Sequence, residues 1–336
     1  MFRCSRRDWM IGGIAGTCAM LGSVRSPRAL ASPTDKALIS ITLDLEMSRN
    51  FPTWETTSWD YEKGNLDGPT KRYAREAARR VRERGGVIHF FAVGQVFEQA
   101  DVGWLQEIAA EGHPIGNHTY DHINVTATRK EDLQFRFQRA PWLLPDWTLL
   151  EIIRENILLT TKAMRSRLGI QPRGFRTPGG FSDGLHQSPA VRELLREQGY
   201  TWVSSLYPSH PNTAPLERPT TELLDQIAKA QVAAQPFAYP DGLIEIPMSP
   251  ISDIGAFRTG RWQVEWFMES VERSVRHAIE NRLVFDFLAH PSCLGVVDPE
   301  FRTIDLICQL VKDAGDRAEL CDLDTVAARY RSQVAP

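Results

Sequence analysis

The chain predicts an α/β fold, a parallel sheet curled into a (β/α) barrel. Three observations carry that expectation. Short β-branched apolar runs alternate with helical stretches from residue 38 to the C-terminus. The 336 residues are 42% hydrophobic and 24% charged, enough apolar material for one large core. The residues with obvious chemistry follow directly on predicted strands, and a β/α barrel gathers such strand ends on one face.

The elements follow in order. Residues 38–43 form a short apolar run, read as the first strand. Helical spacing over 70–84 stops at Gly85-Gly86. A buried strand follows at 87–93, a helix at 104–111 and a short strand at 114–117. The helix at 149–168 is closed by Gly169 and then Pro172. Strands at 174–176 and 201–206 flank a helix at 190–198, and a further strand spans 243–246. An amphipathic helix at 264–281 precedes the strand at 284–288, and helices at 301–314 and 323–331 end the pattern. Segments near 47–66, 123–148 and 208–240 read as rim insertions on one catalytic domain, 32–336. The last of these is proline-rich with an amphipathic piece at 221–233. It reads as a long loop, because strand patterning resumes after it.

Residues 1–31 read as an export signal. Arg6-Arg7 precedes an uncharged apolar run at 11–24, and Ala29-Leu30-Ala31 offers a cleavage site. The run is shorter than the roughly 20 residues of a membrane span. The paired arginines resemble a twin-arginine signal, with an ordinary secretory signal as the alternative. A lipoprotein reading through Cys18 fits less well, since Ala15 and Thr17 suit that motif poorly. The expectation is an exported, periplasmic or secreted protein with no stable membrane anchor after cleavage. Cleavage removes more arginines than acids, which makes the formal charge more negative than −3 and leaves no basic field for nucleic acid. It also removes Cys4 and Cys18. Cys293, Cys308 and Cys321 remain, too few for a disulfide framework or a cysteine metal site, and read as small buried groups.

Asp44 and Glu46 end the first strand and, two apart, project to the same side. Two carboxylates there are costly without a cation or base between them. His118 and His122 meet on one face if their loop makes a helical turn. With a carboxylate they form a two-histidine, one-carboxylate set that leaves a position open for water. Arg176 precedes Thr177-Pro178-Gly179-Gly180, a turn that exposes backbone N–H groups. His290 ends the strand at 284–288 and is a candidate general acid.

Together, Thr42-Leu43-Asp44-Leu45-Glu46, Gly116-Asn117-His118-Thr119-Tyr120-Asp121-His122, Phe175-Arg176-Thr177-Pro178-Gly179-Gly180 and Leu288-Ala289-His290 resemble the polysaccharide deacetylases, the NodB homology domain of carbohydrate esterase family 4. The resemblance runs from about residue 38 to the C-terminus. It implies a distorted (β/α) barrel and a metal-dependent hydrolase that removes N-acetyl groups from a glycan or oligosaccharide. It implies Asp44 as general base, His118 and His122 as ligands of one divalent metal, zinc first among them, and Arg176 as the partner of the base. It also implies Gly179 N–H in the oxyanion hole and His290 as general acid. Leu45 stands where the family commonly has its metal-binding aspartate, so Glu46 is taken as the third ligand. Val203-Ser204-Ser205 replaces a common Asp-Ser-Ser, so the carboxylate that tunes the acid histidine falls to Asp253 or Asp286.

The aromatic segment with Trp54, Trp59 and Tyr61 suits stacking on sugar rings, or packing of its own loop. The segment 134–147, with Trp142 and Trp147, reads as a lid or rim that favours a pocket over an open groove. A small amide or imide is therefore the alternative substrate, and a catalytically silent carbohydrate-binding protein is the third reading.

Overall fold

The computed structural model describes residues 36–47 and 63–334. The predicted export signal, 1–31, and Trp54, Trp59 and Tyr61 lie outside the described residues. In chain order the elements begin with β1 (Ala37–Leu45), α1 (Gly68–Glu83), β2 (Ile88–Ala92), α2 (Gly103–Ala110), β3 (Ile115–Asn117), α3 (Phe135–Arg139) and α4 (Leu149–Leu168). They continue with β4 (Gly174–Phe181), α5 (Pro189–Glu197), β5 (Trp202–Leu206), α6 (Thr221–Ala230), β6 (Phe237–Ala238) and β7 (Ile244–Glu245). The chain then forms α7 (Val264–Asn281), β8 (Val284–Ala289), α8 (Pro291–Val297), α9 (Arg302–Ala314), β9 (Ala318–Leu320) and α10 (Leu323–Val334).

All nine residues of β1 are buried. Its alternation divides two environments. Ile39, Ile41, Leu43 and Leu45 join a core cluster with Ala74 and Ala77 of α1 and Val271 and Val275 of α7. Ser40, Thr42 and Asp44 occupy the opposite face, which turns into the barrel. The sheet runs β6-β7-β5-β4-β3-β2-β1-β8, with β9 added beside β1. Every pair is parallel except β6 with β7. The result is the distorted β/α barrel expected.

The distortion has a physical cause on the outer side of β8. No strand ladder closes β8 onto β7 among the described residues. Buried backbone groups still need partners. The Gln235 side chain accepts from Val284 N–H at 2.8 Å, and the Gln231 and Gln235 amides donate to Val284 C=O at 2.8 and 3.1 Å. Ser249 N–H donates to Asp286 C=O at 2.9 Å. Side-chain amides and one turn thus stand in for a ladder.

Two sequence expectations are corrected. Residues 208–240 are not a plain loop, for they contain α6 and β6. Thr220 caps α6 by accepting from Leu223 N–H at 3.2 Å, and Leu224, Ile227 and Ala228 bury its apolar face. The strand at 174–176 also does not stop at Arg176. β4 continues to Phe181 through a register shift, in which Arg176 pairs with Ser204 and Phe181 with Leu206. The rim segment 123–148 folds partly inward: Phe137 packs with Ile123, Val125 and Leu133, while Trp142 is 79% and Trp147 47% exposed.

His113 ties α2 to β2 by accepting the Ile88 N–H on Nδ1 at 2.9 Å. Burial pulls its imidazole from 6.5 down to about 4. The unfolded chain therefore takes up a proton below about 6.5 that the folded chain refuses until about 4, so stability falls as pH falls through that window. We expect urea unfolding to show a loss on the order of 1 kcal/mol between pH 7 and 5, with a shallower slope in His113→Leu. Equal slopes in the two proteins would assign the acid sensitivity elsewhere.

Candidate active site

The carboxyl ends of β1, β3, β4 and β8 surround a cavity of about 400 Å³. Asp44, Glu46, His118, His122, Arg176, Gly179 and His290 all line it. Glu46, His118 and His122 each offer a ligand atom, all within 4.8 Å of one another. Glu46 Oε2 lies 2.5 Å from His122 Nε2 and 3.5 Å from His118 Nε2. His118 Nδ1 lies 3.0 Å from the Arg176 carbonyl. A carbonyl can only accept, so Nδ1 carries the proton and Nε2 presents its lone pair to the cluster. This donor set fits a divalent cation.

The two histidines do not meet through the helical turn expected. Residues 118–122 form an irregular loop, with Thr119 at φ 59° and His122 at φ 56°. Side chains hold this strained path. Asn117 Oδ1 accepts from Thr119 N–H at 2.8 Å, and Asn156 Oδ1 accepts from Tyr120 and Asp121 N–H at 2.7 and 3.0 Å. Asp121 in turn receives Gln95, Arg136 and Asn156.

Lys63, which no motif singled out, completes the cluster. Its Nζ lies 2.7 Å from Glu46 Oε1, with both side chains at most 5% exposed. One Glu46 oxygen therefore faces the histidines while the lysine orients the other. Burial pushes the Glu46 carboxyl up, but His122 and Lys63 outweigh it and hold it well below its ordinary range.

Asp44 Oδ2 lies 3.7 Å from His118 Nε2, and its Oδ1 has no hydrogen-bond partner among the described residues. Arg176 Nη1 is 3.9 Å from that oxygen, within ion-pair range but beyond a hydrogen bond. The tight partner of Arg176 is Asp286, at 2.7 Å from Nη2, with Thr42 Oγ1 at 3.1 Å and the Phe91 ring 4.5 Å beneath the guanidinium. Asp286 also accepts from Thr42 Oγ1 at 2.7 Å. It is thus removed as the acid-tuning carboxylate, because mid-strand on β8 it points to Arg176 rather than to His290.

Asp253 is the carboxylate that meets His290. His290 Nδ1 is 2.9 Å from Asp253 Oδ1, and His290 N–H donates to Oδ2 at 2.7 Å. Ile254 N–H donates to Oδ1 at 2.8 Å. Asp253 opens a π-helical turn, Ile254–Thr259, whose wider coil carries the carboxylate into the barrel wall. Burial pulls the His290 imidazole down, but Asp253 outweighs it and raises it to about 9.

Gly179 sits at φ 80° inside the β4 irregularity, a backbone that other residues rarely adopt. The Thr177 hydroxyl donates to its carbonyl at 2.7 Å and sets the following peptide plane. Tyr207 and Met248 complete the cavity wall against Gly180, where an added Cβ would meet Tyr207 Cβ at 2.5 Å.

Fold and cluster define a β/α-barrel protein with a candidate Glu-His-His metal centre. Residues 66–203 match the polysaccharide deacetylase family model. The matched stretch contains His118, His122, Arg176 and Gly179, while Asp44, Glu46, Asp253 and His290 enter by position in the barrel. A peptidoglycan-N-acetylglucosamine deacetylase of Bacillus cereus is 26% identical over 137 residues, 41% of this chain and 52% of that protein. The chain thus spans about half the length of this relative. Structures assigned as polysaccharide deacetylases from Mycobacterium smegmatis and Pseudomonas aeruginosa PAO1 superpose with TM-scores of 0.59 and 0.60 at 16% and 14% identity. They cover 90% and 89% of this chain and 93% of each counterpart. The PuuE allantoinase superposes at 0.58 with 12% identity, over 96% of this chain and 99% of that one. At such identities the likeness establishes the fold.

Proposed function

We propose that the chain is a metal-dependent hydrolase that removes N-acetyl groups from an N-acetylated glycan. The observation that carries this reading is the convergence, in one cavity, of the Glu46-His118-His122 cluster, Asp44 and the Asp253-His290 pair. A bound divalent cation, zinc by preference for this donor set, supplies Lewis acidity and makes water a nucleophile near neutral pH. The chain's own residues do the rest. Asp44, within ion-pair range of Arg176, takes the proton of the attacking water. The N–H of Gly179 donates to the oxygen that gains charge as the acetamide carbonyl becomes tetrahedral. His290, kept protonated by Asp253, gives its proton to the departing amine, which leaves poorly without one.

The assay is acetate release from chitooligosaccharides, peptidoglycan fragments and poly-N-acetylglucosamine, with and without chelator. Chelator-sensitive release from any of them supports the reading, and chelator-resistant release overturns the metal role. A cavity of about 400 Å³ also suits a small amide, so a cyclic imide is a parallel arm. Turnover of the imide alone would move the assignment to that class, and binding without any turnover would make the chain a silent carbohydrate-binding protein. We also infer export from the paired arginines and apolar run at the N-terminus. A reporter fused after residue 31 is expected in the periplasm or medium, and retention in the cytoplasm would overturn that inference.

A further inference from the structure

A second cluster of ligating side chains lies near the opposite end of the barrel. His89 stands on β2, opposite Thr42 in the register with β1. It shares the face of Phe91, whose ring carries Arg176, so His89 lies inside the barrel one step further from the catalytic cavity. Asp322 and Asp324 bracket the start of α10. One ligand atom from each of these three residues lies within 4.8 Å of the other two. They border a separate cavity of about 340 Å³.

Three features distinguish this cluster from a solvated acidic turn. His89 is 2% exposed, and its Nδ1 has no hydrogen-bond partner among the described residues. A buried polar atom left in that state is costly. The ring is also fixed, stacked on Phe91 at 4.7 Å and edge-on to Trp202 at 5.3 Å. Finally, each carboxylate is oriented by an N–H on one oxygen. Trp202 Nε1 donates to Asp324 Oδ1 at 2.8 Å, and Thr325 N–H to Asp322 Oδ1 at 2.7 Å. Such outer partners aim ligands in metal sites. The α10 dipole opposes a cation by a fraction of 1 kcal/mol, which two adjacent carboxylates outweigh.

We propose that His89, Asp322 and Asp324 form a second divalent-metal site, which pins the C-terminal helix to the bottom of the barrel. The imidazole and two carboxylates suit a borderline cation such as Zn²⁺ or Mn²⁺, with water filling the remaining positions from the cavity. The role is structural, because the site opens away from the cavity that holds Asp44 and His290. Arg173 lines the same cavity, and its charge is the competing account of why two carboxylates sit there.

The test is metal content of the full chain after loading with Zn²⁺, and separately Mn²⁺, followed by gel filtration. Wild type is expected to retain about two equivalents, His118→Ala about one, and Asp324→Asn about one. His89→Gln joins Asp324→Asn, and the asparagine variant keeps the result readable if the buried change impairs folding. In thermal unfolding, metal should raise the Tm of His118→Ala but give Asp324→Asn no second increment. A single equivalent in wild type, lost in His118→Ala, would overturn the proposal and leave Arg173 as the partner of the carboxylates. Two equivalents retained in folded Asp324→Asn and His89→Gln would also overturn it. Failure of the catalytic metal reading would instead leave one equivalent, kept in His118→Ala and lost in Asp324→Asn, since the two sites share no residue.

Discussion

His118→Ala is expected to lose metal and turnover together, with acetate release down by at least about 10³-fold. The estimate lies beyond the 10–100-fold typical of residues that only support a ligand. His118 has two constraints that alanine removes: Nε2 faces Glu46 and Asp44, and Nδ1 is anchored on the Arg176 carbonyl. Without it, Glu46 and His122 supply two donors, below the three of a catalytic centre. The fold is expected to survive, because β3 keeps its pairing with β2 and the Asn117 amide still donates to Ile157 C=O and the Tyr200 hydroxyl. Far-UV circular dichroism, metal content and acetate release are measured on one preparation. Near-wild-type turnover in chelator-treated His118→Ala would remove the metal from the reaction.

The second large effect concerns the acid. His290→Ala is expected to lower kcat by roughly 10²–10⁴-fold, the range for general acid catalysis, with metal content unchanged. Asp253→Asn separates ionisation from position. The carboxylate holds the His290 imidazole at about 9, so the acid form persists through neutral pH and activity declines only as pH rises toward 9. With that charge removed, burial is opposed only by the weaker pull of Glu46 and Asp44, and the imidazole drops. The alkaline limb of kcat/KM then moves to lower pH, with activity lost as pH rises through neutrality. A limb that stays in place would show that another group limits the rate at high pH.

The parts of this site legible in the sequence share one property: they end strands with clear apolar patterning. Asp44, Glu46, His118 and His290 needed only the rule that parallel strands deliver their ends to one face. Three features were not legible for specific reasons. The His118–His122 geometry depends on left-handed backbone at Thr119 and His122, which neither residue type announces. Asp253 lies on an isolated π-turn, and nothing local separates it from Asp286 until the barrel shows which carboxylate meets His290. Lys63 reaches Glu46 from a segment without strand or helix periodicity. The helix α6 was visible as an amphipathic piece but was outweighed by the prolines around it, and β9, of three residues, is too short to stand out.

The unladdered side of β8 carries one more implication. The candidate metal triad hangs on β1 and β3, within a continuous run of backbone pairing. Asp253, which meets His290, lies four residues beyond Ser249, whose backbone N–H is one of the contacts that bridge the gap. The two halves of the chemistry therefore rest on supports of unequal stiffness. Amide hydrogens of Val284 and Ser249 should exchange through local opening, while those of Ile41 and Leu43 wait for global unfolding. On the proposed roles, a barrel that relaxes at this gap would keep Glu46, His118 and His122 assembled while freeing His290 from Asp253, so loss of activity would precede loss of the fold.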